Sequence, residues 1–149
     1  MEDITVRAVL GYAVEKEMEA QERYTEMAGM AERETTKELF LRLAGMEGEH
    51  KEKLQAMSTR DIGDYRLENV PDLFVSEKLG EREFSPGMGV LEAIALAIKA
   101  EESSMNLYLD AARGIPEGDD KKIFAVLAQE EKEHKLLLET EYEELKGGD

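Results

Sequence analysis

Two short segments of the chain combine carboxylate and imidazole groups at the same spacing: E47-G-E-H50 and E131-K-E-H134. They contain both histidines of the protein. Residues three apart lie on one face of a helix, so the first glutamate and the histidine of each segment could bind one metal ion. One such segment is weak support for a metal site, because 27 glutamates in 149 residues often place one there by chance.

The two segments belong to an internal repeat, which makes chance a poor explanation. Sliding the sequence against itself by 84 residues gives 13 identities over the 48 positions from Leu10 to Met57, without a gap. The same offset pairs Glu17 with Glu101 and Tyr24 with Tyr108. A repeat of this kind indicates that one supersecondary unit occurs twice.

Each copy of the repeat is predicted to form two helices. Long stretches consist of Ala, Glu, Lys, Leu, Met and Arg, which favour helices, and the alternation that is typical of strands is nearly absent. The predicted helices cover about residues 3–31, 35–57, 85–113 and 119–145, the third beginning at a Ser85-Pro86 cap. The sequence therefore predicts an all-α, antiparallel four-helix bundle in one domain, residues 1–149. It consists of two repeated helical hairpins, 3–57 and 88–146, and a long crossover linker, 58–87, in which a short helix from Asn69 to Leu79 is expected.

Four glutamates and both histidines are expected to face the core of this bundle. Glu17 and Glu101 lie within stripes of small and aromatic residues, and Glu47 and Glu131 share a face with Phe and Leu. Glu17 and Glu47 are equidistant from the first turn, as Glu101 and Glu131 are from the second, so all four should share one layer. Buried carboxylates without compensation cost several kcal/mol each; divalent cations would compensate them.

Composition narrows the classes of function. The net charge of −16 argues against binding nucleic acid or anionic membranes. The absence of cysteine excludes thiol catalysis and Cys-ligated metal sites in this chain. The N-terminal sequence lacks the features of a signal peptide, and the apolar run at residues 90–98 is too short to span a bilayer. A soluble, cytoplasmic protein is expected.

The predicted layer has one glutamate from each of two helices and E-x-x-H from each of the other two. This is the ligand arrangement of ferritin-like di-iron carboxylate proteins. The segments E17-M-E-A-Q-E-R-Y24 and F40-L-R-L-A-G-M-E47-G-E-H50, with their repeats, resemble rubrerythrins. The resemblance covers both hairpins. It implies two bound iron ions, with manganese or a mixed pair as alternatives. The implied ligands are bridging Glu47 and Glu131, terminal Glu17 and Glu101, and one histidine per metal, His50 and His134. Tyr24 and Tyr108 would each hydrogen-bond a carboxylate.

The resemblance also implies an activity, with two departures. Rubrerythrins usually carry a Cys₄ rubredoxin-like domain, which this chain lacks, so a separate electron-donor protein would have to reduce the site. They also have an additional glutamate in the third helix, where Ser104 stands here; Glu102 is a weak substitute. The expected function is therefore di-iron reduction of peroxide or dioxygen, or oxidation of Fe(II), in a homodimer. The alternatives are an iron-handling protein without turnover and a purely structural bundle.

Overall fold

A computed structural model of the chain describes residues 4–58, 66–67, 84–85 and 87–147. Four helices account for nearly all of these residues: α1 (Val6–Met30), α2 (Glu34–Ser58), α3 (Val90–Gly114) and α4 (Asp119–Gly147). The helices α1 and α2 form one hairpin and α3 and α4 form the other. This confirms the predicted four-helix bundle built from two hairpins.

Local signals explain two of the helix boundaries, the start of α1 and the start of α4. Thr5 caps α1, since its Oγ1 accepts a hydrogen bond from the backbone N–H of Ala8 at 3.2 Å. The turn before α4 contains Gly118 with φ of +153°, a conformation that residues with a side chain rarely adopt. Asp119 and Asp120 then place negative charge in the first turn of α4, where it interacts favourably with the helix dipole.

The start of α3 corrects the sequence-based prediction. Its N-cap is Gly89, which makes no side-chain capping bond, and the helix begins at Val90 rather than near Ser85. The carbonyl of Ser85 instead accepts from the N–H of Met88 at 3.0 Å, and its hydroxyl accepts from the N–H of Gly87 at 3.4 Å. Ser85 therefore closes a turn that precedes the helix.

A second correction concerns strands, which the sequence did not support. Residues Ile4–Thr5 (β1) pair with Arg66–Leu67 (β2) in an antiparallel arrangement. Two-residue strands are too short to show alternation in the sequence. The short helix predicted from Asn69 to Leu79 lies outside the described residues. None of the described helices combines the length and the apolarity that a membrane span requires.

The two hairpins pack together so that each end of the bundle contains parts of both. One apolar cluster, the Leu10 cluster, joins the start of α1 and the end of α2 to the end of α3 and the start of α4. The other, the Phe40 cluster, joins the opposite ends of the same helices. At that end Thr36, which is buried, donates a 2.5 Å hydrogen bond to Glu141 from α2 to α4. The Leu10 cluster includes Leu10, Leu54, Leu107 and Phe124, and the Phe40 cluster includes Tyr24, Phe40, Ile94 and Leu138.

Candidate metal centre

Six ionisable side chains form a layer between the Leu10 and Phe40 clusters. Each of them is at most 1% exposed. The helices α1 and α3 contribute one glutamate each, and α2 and α4 contribute one glutamate and one histidine each. The structure thus brings together all six residues that the sequence pattern singled out: Glu17, Glu47, His50, Glu101, Glu131 and His134.

The middle of the layer is a four-residue cluster of two glutamates and two histidines. Glu47, His50, Glu131 and His134 each offer one ligand atom, and these atoms all lie within 4.8 Å of one another. The closest approaches cross between the hairpins: His50 Nδ1 lies 2.9 Å from Glu131 Oε1, and His134 Nδ1 lies 2.8 Å from Glu47 Oε1. Within each hairpin the corresponding distances are longer, 3.7 Å from His50 to Glu47 and 3.4 Å from His134 to Glu131. Each of these glutamates therefore lies near both imidazoles.

The other two glutamates lie at the two sides of this cluster. Glu17 Oε2 is 3.6 Å from His50 Nδ1, and Glu101 Oε2 is 3.6 Å from His134 Nδ1. The two imidazole rings stack with their centroids 5.5 Å apart and their planes 9° from parallel. The layer consequently has two halves, one built on Glu17 and His50 and the other on Glu101 and His134.

Two buried tyrosines hydrogen-bond the outer glutamates, and each does so across the hairpin boundary. The Tyr24 hydroxyl of α1 donates to Glu101 Oε1 of α3 at 2.5 Å. The Tyr108 hydroxyl of α3 donates to Glu17 Oε1 of α1 at 2.6 Å. These bonds occupy one oxygen of each carboxylate and leave the other directed toward the histidines.

The crowding of acids shifts the pKa of several groups in the layer. Burial raises the pKa of Glu47 well above its usual value, and the nearby negative charges of Glu101 and Glu131 raise it further. Burial, followed by the charge of Glu101, raises the pKa of Glu131 in the same way. Without a metal ion, these two central carboxylates therefore bind protons more readily than exposed carboxylates do.

The pKa of each histidine is also raised. Burial alone would lower it, but the adjacent carboxylate of Glu17 and the charge of Glu47 raise the pKa of His50 to about 9. For His134 burial is again the largest influence, yet the adjacent carboxylates of Glu101 and Glu131 raise the pKa to about 12. For Glu101, the effect of burial is opposed by the adjacent His134 and Glu131, and its pKa is lowered. Proton binding by the histidines and the central glutamates thus reduces the net negative charge of the metal-free layer.

Several buried polar atoms in the layer form no well-aligned hydrogen bond with the described residues, although Nδ1 of each histidine lies within 2.9 Å of a carboxylate oxygen. They are Glu17 Oε2, Glu47 Oε1, Glu101 Oε2, both carboxylate oxygens of Glu131, Nδ1 of each histidine and Nε2 of His134. Buried polar groups are nearly always satisfied, so this concentration of unpaired donors and acceptors requires a partner. Four carboxylates and two imidazoles are a donor set that suits iron or manganese. Two divalent cations would also balance four carboxylate charges. The residues therefore fit a two-metal centre.

Sequence reasoning missed one residue of the site, Glu130. Its Oε2 lies 2.7 Å from His50 Nε2, the ring nitrogen that faces away from the central glutamates. Burial raises the pKa of Glu130, but the hydrogen bond and charge of His50 and the charge of Lys53 together have a larger opposite effect. The net pKa of Glu130 is therefore lowered. The position that corresponds to Glu130 in the first repeat is Met46, so the repeat itself gave no signal. The sequence signal was a carboxylate directly before a core glutamate, which does not by itself specify a contact with His50.

The remaining acidic candidates lie outside the layer. Glu49 and Glu133, the middle residues of the two E-x-E-H segments, are exposed, as expected. Glu102 is exposed as well, and its Oε2 forms a 3.0 Å ion pair with Lys135. Ala20 is buried and Ser104 is partly buried, one turn beyond Glu17 and Glu101 respectively.

Comparisons with known proteins agree with this architecture. The family model described as rubrerythrin matches residues 8–84 and 92–149. A Thermotoga maritima structure described as a ferritin-like diiron-carboxylate protein is 28% identical, with 97% of this chain and 98% of that chain covered and a TM-score of 0.76. An uncharacterized conserved protein from Magnetospirillum magnetotacticum MS-1 is 26% identical, with 95% of each chain covered and a TM-score of 0.65.

A hypothetical protein from Pyrococcus furiosus shares the fold, with 23% identity, a TM-score of 0.72 and coverage of 95% of this chain and 90% of that chain. No curated protein matches the sequence. The family match spans both halves of the layer, from Glu17 and His50 to Glu101 and His134.

Proposed function

The chain belongs to the rubrerythrin family, and on that premise we propose that it is a di-iron oxidoreductase. It would reduce peroxide or dioxygen, or use either to oxidise Fe(II). The observation that carries the proposal is the buried layer of four glutamates and two histidines whose unpaired atoms face one another. A purely structural bundle gives no reason to bury these groups together.

The distances support different ligand roles for the six residues. Glu47 and Glu131 each lie near both histidines, as expected of carboxylates that bridge two ions. Glu17 lies beside His50, and Glu101 lies beside His134, as expected of terminal ligands in two separate halves. Each half would then hold one iron ion, with Nδ1 as the histidine ligand atom.

When bound, two iron ions would supply the one-electron redox steps that oxygen chemistry needs. The protein's own groups control the surroundings of those steps. Complete burial of the layer excludes bulk water, which strengthens electrostatic interactions there. Tyr24 and Tyr108 keep their hydroxyl protons and donate them in hydrogen bonds to the outer carboxylates, because burial and then neighbouring carboxylates raise the pKa of each tyrosine well above 10. These bonds fix the orientation of Glu101 and Glu17.

Reduction of peroxide to two water molecules consumes two electrons and two protons, so turnover requires a reductant. The chain contains no cysteine and hence no Cys₄ iron site among these residues. We therefore propose a separate electron-donor protein as the partner that returns the centre to its reduced state.

The test is anaerobic loading with Fe(II), followed by exposure to peroxide and, separately, to air. We expect two irons per chain, near-ultraviolet absorption of carboxylate-bound ferric iron after oxidation, and loss of that absorption when a reductant is added. Repeated cycles with a reducing protein would demonstrate turnover. The variants Glu47→Ala and His134→Ala should lose iron and activity, whereas Glu49→Ala, at an exposed position, should retain both. Full iron occupancy in Glu47→Ala would disprove the assignment.

An iron-handling role without turnover is the second candidate, and the net charge of −16 favours it by attracting cations. It requires the same ligands. The same experiment separates the two functions, since a carrier would take up iron in proportion to the protein present and would not consume further oxidant when a reductant is supplied.

A further inference from the structure

The two histidines of the layer differ at the ring nitrogen that faces outward. His50 Nε2 is 2.7 Å from Glu130 Oε2 of the opposite hairpin. The other oxygen of Glu130 lies 3.6 Å from the ammonium group of Lys53. Glu130 is only 26% exposed in its side chain, so the bond to His50 is sheltered from water.

Among the described residues, His134 has no such acceptor. Its Nε2 atom is buried and has no hydrogen-bond partner in the part of the chain that the structure describes. The repeat explains the difference, because the 84-residue offset that relates His50 to His134 relates Met46 to Glu130. Met46 is partly buried, and a thioether is only a weak hydrogen-bond acceptor. Nearly every other position of the layer is the same in both halves.

An acceptor on the outer nitrogen changes what the inner nitrogen can do. It fixes the proton on Nε2, so the lone pair of the neutral ring lies on Nδ1, which is the atom facing Glu17, Glu47 and Glu131. A carboxylate acceptor also fixes the ring orientation and makes the ring a better electron donor to a metal ion. His50 has both advantages, whereas no described residue gives them to His134.

We propose that Glu130 makes the two halves of the centre unequal, so that a first divalent cation binds at the half built on His50 and Glu17. A second cation then binds more weakly at the half built on His134 and Glu101. Glu130 is a positioning residue in this scheme, since it acts on the metal through His50. The inference rests on the two-metal centre of the proposed function and adds an order of filling to it.

The test is a Zn²⁺ titration of the full chain after its metals have been removed by chelation. Zn²⁺ has no redox chemistry of its own, so the measurement is independent of activity. Calorimetry of the unmodified protein should resolve two binding steps of unequal affinity. Because the chain has only two histidines, ¹⁵N spectra of their imidazoles identify the half that fills first, and the resonances of His50 should change during the first equivalent.

Two opposite variants test the cause of the asymmetry. Glu130→Leu should weaken the first step by about 10- to 100-fold and bring the two affinities together. Glu130→Gln keeps an uncharged acceptor, so the affinity of its first step should lie between that of the unmodified protein and that of Glu130→Leu. Met46→Glu, which supplies the missing acceptor on the other side, should strengthen the second step. The charge-matched control is Glu133→Leu, at an exposed position of α4, which should leave both steps unchanged.

The possible results separate this inference from the proposed function. Two equal Zn²⁺ affinities in the unmodified protein, or a first step that shifts the resonances of His134, would overturn the order of filling while leaving the two-metal centre intact. Unchanged steps in both Glu130→Leu and Met46→Glu would overturn the role of Glu130. No Zn²⁺ binding at all would overturn both proposals.

Discussion

Tyr24 of the first hairpin donates its hydroxyl hydrogen to Glu101 of the second, 77 positions along the chain, at 2.5 Å. The equivalent bond from Tyr108 returns to Glu17. The outer ligand of each half is thus held by a tyrosine from the other hairpin. The same two hydrogen bonds therefore join the hairpins and orient the candidate ligands.

Removing either tyrosine hydroxyl should destabilise the protein. Tyr24→Phe leaves a buried oxygen of Glu101 without its donor, and an unsatisfied buried group of this kind costs about 1–3 kcal/mol. Tyr108→Phe should cost a similar amount through Glu17. Urea denaturation of the metal-free protein measures the free energy of unfolding. Tyr142→Phe, at a partly buried position outside the layer, is the control and should change it by less than about 0.5 kcal/mol.

The stability of the metal-free protein should fall as the pH rises from 6.5 to 9. His50 has a pKa of about 9 in the folded state and 6.5 ordinarily, so the folded state binds more protons than the unfolded state in this range. The free energy of unfolding then decreases with pH, by up to about 1.4 kcal/mol per pH unit for each such proton. Urea denaturation at several pH values measures the slope.

The other shifted groups of the layer do not reverse this sign. The raised pKa values of Glu47 and Glu131 also give stability that is lost as the pH rises above 4.5. The lowered pKa values of Glu101 and Glu130 act below 4.5, outside the measured range. Stability that increases between pH 6.5 and 9 would contradict the protonation of the layer described above.

Divalent metal should stabilise the protein through the central glutamates. Mn²⁺ at 100 times its dissociation constant should raise the free energy of unfolding by about 2.7 kcal/mol, provided that it binds only the folded state. Thermal unfolding with and without Mn²⁺ measures the effect. In Glu131→Ala the increase should largely disappear, and in Glu133→Ala it should persist. An equal increase in both variants would place the bound metal elsewhere.

A glycine next to the layer offers a fourth prediction. A methyl group added at Gly48 would lie 2.8 Å from the amide nitrogen of the Gln21 side chain, which is flexible and can move. Gly45, in the same helix, has open space around it. Gly45→Ala should therefore stabilise the protein by the full helix-propensity gain of about 0.8–1 kcal/mol, and Gly48→Ala by less. Equal gains in chemical denaturation would show that Gln21 moves without cost.

The six residues of the layer could be predicted from the sequence because their geometry depends on helix periodicity and on distance from a turn. Both are local properties, and both can be read in each copy of the repeat. The start of α3 was predicted wrongly because Ser85 has the chemistry of a cap, but its backbone and side chain bond to Met88 and Gly87 instead. The homodimer, the electron donor and the native metal stay predictions, since one chain does not test them.

Glu130 could not be found in this way because its role depends on which helix lies opposite. Helix α4 places its side chain against His50 of α2, 80 positions earlier in the chain. No periodicity within α4 specifies that contact. The repeat also drew attention to positions that agree in both copies, whereas Glu130 and Met46 differ.

That difference has a consequence for the architecture as a whole. If one hairpin assembled with an identical second molecule, a true twofold axis would place the same residue beside both imidazoles, and the two ion sites would be chemically equivalent. Covalent fusion of two copies removes that constraint, since each copy can then mutate independently. A single polypeptide carrying both hairpins can therefore keep a nearly symmetric ligand shell and still break the symmetry at one position, between Met46 and Glu130.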